Sequence, residues 1–211
     1  GLKAASMGKK VLLVEASGAE RIPALFGLKG RSYQARRCAK NLYTLSITPE
    51  EAIEDYVVLR IKIRALYKLV FRNRIMEPFI NAVPGLHDVV HLGKLSHLEE
   101  AQKRGQPEWD LIVFDAPATG HGLTMLASPQ SMMSMTKAGP FYENTAIVER
   151  VLSNPRKTRL VLVATSDEMV INETLELYER LGERREQVDG IVLNECMDPL
   201  VNPDVWKTSR D

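Results

Sequence analysis

The sequence predicts an α/β fold, a parallel β-sheet covered by helices, and two features carry this prediction. Short aliphatic runs bounded by polar or turn residues are typical of buried strands, and there are four strong ones: Val11–Val14, Leu111–Phe114, Leu160–Ala164 and Gly190–Leu193. Helical patterns lie between these runs, and strands that alternate with helices indicate a parallel sheet with helices on both faces. Because ligands of such sheets bind beyond the carboxyl ends of the strands, the loops after these runs are candidate sites.

The composition allows one ample domain, which we predict to cover residues 1–211. The chain is 45% hydrophobic, and its 28 Lys and Arg residues against 27 Asp and Glu residues give no indication of a nucleic-acid-binding surface. No apolar run is long enough to cross a bilayer, and nothing resembles a signal peptide. Cys38 and Cys196 form no CxxC pair, which favours a reducing, cytoplasmic compartment.

The first ten residues are typical of the end of a helix. An Ala-rich segment leads to Gly8, a residue type that favours helix C-caps, and the strand follows at once. We therefore expect that at least one strand, one loop and half a helix precede Gly1 in the natural protein. The alternative, that Met7 is the true start and the residues before it are a vector remnant, is disfavoured by the Ala-rich helix end.

A weaker strand is predicted at Leu42–Ile47, and after it comes a helical block, residues 49–105, without a strong strand signal. We interpret this block as a helical subdomain inserted over the sheet. Residues 56–71 form a broad apolar stripe with Arg and Lys on the opposite face. Ordinary core-packing helices and a groove for an apolar partner explain this stripe equally well.

The block also contains His87 and His91, which are four residues apart, as in the zinc-binding helix of some metalloproteases. An Asp stands where that motif has Glu, a Pro-Gly precedes the pair, and no third ligand is nearby in the sequence. These differences disfavour a metal site.

The most informative segment is the strand that ends at Asp115. Residues 109–121 have the sequence WDLIVFDAPATGH, so an apolar strand stops on a carboxylate and continues into a loop of small residues. A carboxylate in this position can hold Mg²⁺ directly or through water, and Gly120 lets a backbone N–H approach a γ-phosphate. An Asp that only caps the next helix is the alternative. The Thr119-Gly120-His121 sequence favours the phosphate-binding interpretation.

Two further expectations concern the segments that follow this loop. The Met-rich tract at residues 125–135 suits either an adaptable binding surface or ordinary gap filling in the core. Helices are predicted at Thr145–Ser153 and Glu168–Arg185.

With these residues in view, the chain resembles the family of arsenite-pump and tail-anchored-protein-targeting ATPases, a branch of the deviant-Walker-A P-loop NTPases. The resemblance covers nearly the whole chain, and its most specific part is DAPATGH at residues 115–121, which is similar to the family's switch II. VLLVEASG at residues 11–18 is similar to switch I, and GIVLN at residues 190–194 is similar to the family's last strong strand. The resemblance implies a P-loop NTPase fold.

The resemblance also implies site residues, with ATP or ADP and Mg²⁺ as cofactors. Asp115 would lie at the network of Mg²⁺ and attacking water, with Mg²⁺ held through water, and Thr119 and Gly120 would lie near the γ-phosphate. Asn194 would read the adenine edge, since an amide both donates and accepts. Glu173 would reach nucleotide on the partner subunit of a closed dimer. Taken singly, Asn194 is equally well explained as a turn residue, and Glu173 as part of a solvated helix face.

The sequence departs from the family in three places. The phosphate-binding loop is absent, so the chain as written is expected to bind ATP poorly and to be inactive. Ser17 stands where the family has the Asp that orients the attacking water, so hydrolysis is slow, Glu15 or Glu20 substitutes, or nucleotide binds without turnover. No zinc is expected, because only Cys196 follows Asn194, and two cysteines cannot build a three-thiol arsenite site.

Two hypotheses follow. The leading one is an ATP-binding, ATP-hydrolysing protein of the anion-transporting or targeting type, which acts as a nucleotide-gated homodimer or as a dimer with a paralogue. Its helical block would offer an apolar surface to a client protein. The alternative is a non-catalytic subunit, a pseudo-ATPase, that partners an active paralogue. Neither hypothesis involves nucleic acid or an integral membrane segment, and both place the protein in the cytoplasm.

Overall fold

The structure, a computed structural model, describes residues 1–16, 20–61 and 85–196. The chain divides into two compact units, Gly1–Leu152 and Ser153–Asp211, and each is described by itself. The single domain over residues 1–211 therefore stays a prediction. In the part of the chain that the structure describes, no helix is both long enough and apolar enough to cross a membrane.

The first unit is built on a four-stranded sheet in the order β2-β3-β1-β6. The strands are β1 (Val11–Glu15), β2 (Arg36–Ala39), β3 (Leu42–Ser46) and β6 (Leu111–Asp115), and a separate hairpin joins β4 (Gln102–Lys103) to β5 (Gln106–Pro107). Strand β1 runs parallel to β3 and to β6, whereas β2 pairs antiparallel with β3 at the edge. The predicted α/β fold with a mostly parallel sheet is confirmed, while β2 was not predicted.

Strand β1 lies at the centre of this sheet because it is apolar on both faces. Val11, Leu12 and Val14 are fully buried. Leu12 and Val14 contribute to a core cluster on one face, and Val11 contributes to a second cluster on the other face. This two-sided burial is what a parallel strand between two helical layers requires.

Six helices accompany the sheet among the described residues of the first unit: α1 (Leu2–Ser6), α2 (Arg21–Leu25), α3 (Pro49–Ile61), α4 (Leu86–Glu100), α5 (Thr119–Thr136) and α6 (Pro140–Ser153). The predicted helix end before the first strand is present, and Gly8, with φ +89°, follows it. Residues 62–84 lie outside the described residues. The inserted helical subdomain over residues 49–105 and its apolar groove therefore stay predictions.

The prediction that Thr119-Gly120-His121 forms a loop is wrong, because these residues are the first turn of α5. Ala118 has the extended backbone of an N-cap residue, so the turn after Asp115 is only three residues long. In the Met-rich tract, Met125 and Met132 are buried in the core of the first unit, while Met135 is exposed. The burial of these two side chains agrees with the alternative that the methionines fill gaps in the core.

The second unit contains β7 (Leu160–Thr165), α7 (Glu168–Arg180), a 3-10 helix (Gly182–Gln187) and β8 (Val188–Asn194). Strands β7 and β8 pair in parallel, as expected for a strand-helix-strand unit. Asp167 is the N-cap of helix α7, and its Oδ1 accepts a hydrogen bond from Met169 N at 2.9 Å. The helix ends earlier than predicted, because Gly182 takes a left-handed φ of +57° and a 3-10 turn follows.

Candidate nucleotide site

Three polar side chains lie side by side at the carboxyl edge of the first unit's sheet. Glu15 of β1 is in register with Ser46 of β3 on one side and with Asp115 of β6 on the other. Residues in register on neighbouring parallel strands, about 4.8 Å apart, point to the same face of the sheet. The strands therefore bring a hydroxyl and two carboxylates to one face, at the edge where ligands of such sheets bind.

Asp115 is the accessible member of this row. Its side chain is exposed, and it ends the apolar strand β6 immediately before the short turn into α5. Helix α5 is 18 residues long, and its N-cap is Ala118, which gives no side-chain cap hydrogen bond to the first turn. The backbone N–H groups of Thr119 and Gly120 begin this helix. They are the kind of donors, at the positive end of a helix dipole, that bind phosphate.

The two glycines in the first turns of α5 have different surroundings. A Cβ on Gly122 would lie 2.8 Å from the backbone carbonyl oxygen of Pro117, so this position requires glycine for packing. A Cβ on Gly120 would meet no heavy atom of the described residues within 4 Å. The fold therefore does not require glycine at position 120, although glycine is unfavourable inside a helix. The open space in front of Gly120 leaves room for a ligand.

Glu15 is the buried member of the row. Its side chain is only 1% exposed, and its Oε1 accepts a hydrogen bond from Arg21 N at 3.0 Å. Its Oε2 has no hydrogen-bond partner among the residues that the structure describes. Sequence reasoning considered Glu15 only as a substitute for the missing acid at Ser17, and Ser17 itself lies outside the described residues. Only the strand register shows that Glu15 adjoins Asp115.

A contact between two ionisable side chains joins the first turn of α5 to α4. His121 Nε2 lies 3.7 Å from Asp88 Oδ1 on α4, and the Asp88 side chain is mostly buried. Burial raises the pKa of Asp88 above its ordinary value, and the nearby His121 and His87 oppose this shift. His121 and Asp88 were not predicted to meet, because nothing in the sequence spacing relates residue 88 to residue 121.

The remaining predicted site residues belong to the second unit. Asn194 is the last residue of β8, opposite Thr165 of β7, and its side chain is exposed. Glu173 lies on the exposed face of α7. Asn194 ends the predicted strand, and Glu173 lies in the predicted helix. Their roles in binding nucleotide stay predictions.

The carboxyl edge suits a Mg²⁺ ion that is bound mainly by phosphate oxygens and water, with few protein ligands. Among residues 1–16, 20–61 and 85–196, no group of three or more His, Cys, Asp and Glu side chains could hold a metal ion. Mg²⁺ in nucleotide sites is commonly held by only one or two carboxylates, with phosphate oxygens and water completing its shell. Asp115, the exposed acid of this edge, would provide such a ligand. The pair His87 and His91 lies on α4, and the ring of His91 is buried.

These features define an α/β protein of the P-loop NTPase type, with a mostly parallel sheet whose carboxyl edge carries an acid and a helix N-terminus. The family model for anion-transporting ATPases matches residues 1–139, and the chain belongs to this family. The resemblance stated from switch II is thereby confirmed.

Three relatives illustrate the range of the family. The chain is 27% identical over 208 residues to ATPase BagA of Mycobacterium tuberculosis, a match that covers 96% of the chain and 61% of that protein. It is 25% identical over 211 residues to an arsenical pump-driving ATPase of Escherichia coli, covering 86% of the chain and 33% of that protein. It is 23% identical over 223 residues to ATPase GET3 of Lachancea thermotolerans, covering 90% and 64%. The chain thus spans less than two thirds of the length of each relative.

Proposed function

We propose that the protein binds and hydrolyses ATP and that it works as a nucleotide-gated dimer in the cytoplasm, either with itself or with a paralogue. The observation that carries this proposal is the carboxyl edge of the first unit. There the exposed Asp115 ends a parallel strand, and after a turn of three residues a long helix begins without a side-chain cap. This pairing of an acid with uncapped backbone donors suits a phosphate chain with its metal ion.

The chain's own residues have distinct tasks in this proposal. Asp115 holds Mg²⁺ through water, and the backbone N–H groups of Thr119 and Gly120 donate hydrogen bonds to the γ-phosphate oxygens. When bound, Mg²⁺ neutralises charge on the phosphate oxygens. In the second unit, Asn194 reads the adenine edge and Glu173 reaches toward the nucleotide of the partner subunit. Catalysis in such a site consists mainly of positioning water and stabilising charge.

The contact between His121 and Asp88 supports nucleotide gating of the helical block. It ties the first turn of α5, which would bind the phosphate, to α4 of the block. A shift of the α5 N-terminus on nucleotide binding would therefore change the surroundings of α4. An apolar client protein at residues 49–105 is the partner that we propose for this block.

The proposal is tested with the full-length gene product. Phosphate release is measured with and without Mg²⁺, and nucleotide binding is measured by calorimetry. We expect Mg²⁺-dependent turnover and ATP-dependent dimerisation, the latter followed by analytical ultracentrifugation. Asp115→Asn with full turnover would remove Asp115 from the site.

A second candidate function, a non-catalytic nucleotide-binding subunit, is favoured by one feature of the sequence. Ser17 has a hydroxyl where the family has a water-orienting carboxylate, and a hydroxyl is a poor base at neutral pH. Tight ATP binding without phosphate release by the full-length protein would support this alternative and exclude the first.

A further inference from the structure

Three buried polar oxygens without partners lie together on one face of the central sheet. They are Glu15 Oε2, Thr44 Oγ1 and Ser46 Oγ, and none has a hydrogen-bond partner within the described ranges. Thr44 and Ser46 are alternate residues of β3, so they point to the same face, and Ser46 is in register with Glu15. Buried polar atoms are almost always hydrogen-bonded, so this concentration at a carboxyl edge requires an explanation.

Glu15 differs from the two hydroxyls because one half of its carboxylate is fixed. Its Oε1 accepts the Arg21 N–H at 3.0 Å, which holds the carboxylate in place at the end of β1. Its Oε2 is buried and has no hydrogen-bond partner within the described ranges, and Glu15 is in register with Asp115 on the next strand. A buried carboxylate that keeps an unused oxygen is unfavourable for stability, and such groups are typical of functional sites.

We propose that the Glu15 carboxylate accepts the proton of the attacking water in this protein. It would replace the carboxylate that Ser17 cannot supply. This inference rests on the proposed ATP hydrolysis and names the general base of that same site. Hydrolysis joins the water oxygen to the γ-phosphorus and breaks the bond from that phosphorus to the β,γ-bridging oxygen, whose electron pair leaves with ADP. Oε2 takes the proton of the water and hands it on to the released phosphate.

Glu20, the other acid near Ser17, is the natural comparison. It is the N-cap of the short helix α2 and takes a left-handed φ of +56°. It follows the end of β1 by five residues and is not in register with Asp115, whereas Glu15 is. Glu20→Gln therefore serves as the matched control for Glu15→Gln.

The test uses the full-length protein and three measurements: turnover, ATP affinity and thermal stability. We expect Glu15→Gln to lower kcat by about 100-fold or more, the usual contribution of a general base, with ATP affinity within about threefold of the wild type. The melting temperature should stay equal or rise, because a neutral amide is easier to bury and its oxygen can still accept the Arg21 N–H. Glu20→Gln should turn over like the wild type.

The outcomes separate this inference from the proposed function. A wild-type protein that neither binds nor hydrolyses ATP overturns the proposed function, and ATP binding without phosphate release overturns both hydrolysis and the role of Glu15. Wild-type hydrolysis with unchanged kcat in Glu15→Gln overturns this inference alone. A lower melting temperature with unchanged kcat would make Glu15 purely structural. If Glu15→Gln does not fold, Glu15→Asp, which withdraws the carboxylate by one methylene, should show the same loss of kcat at constant ATP affinity.

Discussion

Acid should destabilise the first unit through His91, a histidine that is held neutral by burial. The side chain is 6% exposed, and neither Nδ1 nor Nε2 has a hydrogen-bond partner in the described part of the chain. Burial lowers the pKa of His91 from 6.5 to about 4. Nearby His87 and His121 contribute to this lowering, and Glu50 of α3 opposes it.

The direction and size of the effect follow from proton linkage. Above pH 6.5 both the folded and the unfolded chain hold this imidazole neutral, so the stability is fully present. As the pH falls from 6.5 toward 4, the unfolded chain takes up a proton that the folded chain does not, and the free energy of unfolding decreases. At about 1.4 kcal/mol for each pH unit, the loss is about 2 kcal/mol at pH 5 and about 3 kcal/mol at pH 4. Such a loss is a large part of the stability of an ordinary domain.

The assay is urea unfolding followed by far-ultraviolet circular dichroism at a series of pH values, for the wild type and His91→Leu. The difference between the two proteins isolates His91 from the carboxylates that also titrate in acid. His91→Leu should lack about 2 kcal/mol of the loss between pH 6.5 and pH 5. His97→Leu, on the exposed side of the same helix, should keep the wild-type loss. If His91→Leu and the wild type lose the same free energy over this range, the assignment of a buried neutral imidazole is refuted.

Four further predictions concern packing, helix propensity and capping. Gly122→Ala should destabilise the protein by about 1–3 kcal/mol, because its Cβ would meet the carbonyl oxygen of Pro117. Gly120→Ala should raise stability by up to about 1 kcal/mol while weakening ATP binding by the full-length protein, and a melting curve with calorimetry checks both results. Met125→Ala should cost about 2–5 kcal/mol in urea unfolding, and Met135→Ala less than about 0.5 kcal/mol. Asp167→Ala should cost about 1 kcal/mol through the lost cap of α7, which equal urea midpoints would contradict.

The strands of the parallel sheet could be predicted because their signals are local. Val11–Glu15 and Leu111–Asp115 are continuous apolar runs that stop on a carboxylate. In β1 this continuity matches burial on both faces, whereas β6 is partly buried. Strand β2 was not predicted, because its sequence, Arg-Arg-Cys-Ala, does not alternate apolar and polar residues. Its two arginines are typical of an edge strand. Helix α5 was not predicted, because Gly120 and Gly122 weaken the helical signal at its start.

The site could be predicted in part, and what was missed depends on contacts distant in sequence. Asp115 and Gly120 were found because switch II is a contiguous motif. The pairing of Glu15 with Asp115 follows from strand register, which joins residues 100 positions apart. The contact of His121 with Asp88 likewise joins residues 33 positions apart, so no local pattern reveals it.

The most direct test of the central claim compares two carboxylates at opposite ends of the same strand. Asp115 is the last residue of β6, and Asp110 immediately precedes the first residue of that strand. Asp110 Oδ2 accepts a hydrogen bond from Lys10 N at 2.7 Å. Mg²⁺-dependent phosphate release by the full-length protein is measured for the wild type, Asp115→Asn and Asp110→Asn. We expect Asp115→Asn to lose about 100-fold or more in kcat, while Asp110→Asn turns over like the wild type. Equal turnover of Asp115→Asn and the wild type would contradict the assignment of this edge as the nucleotide site.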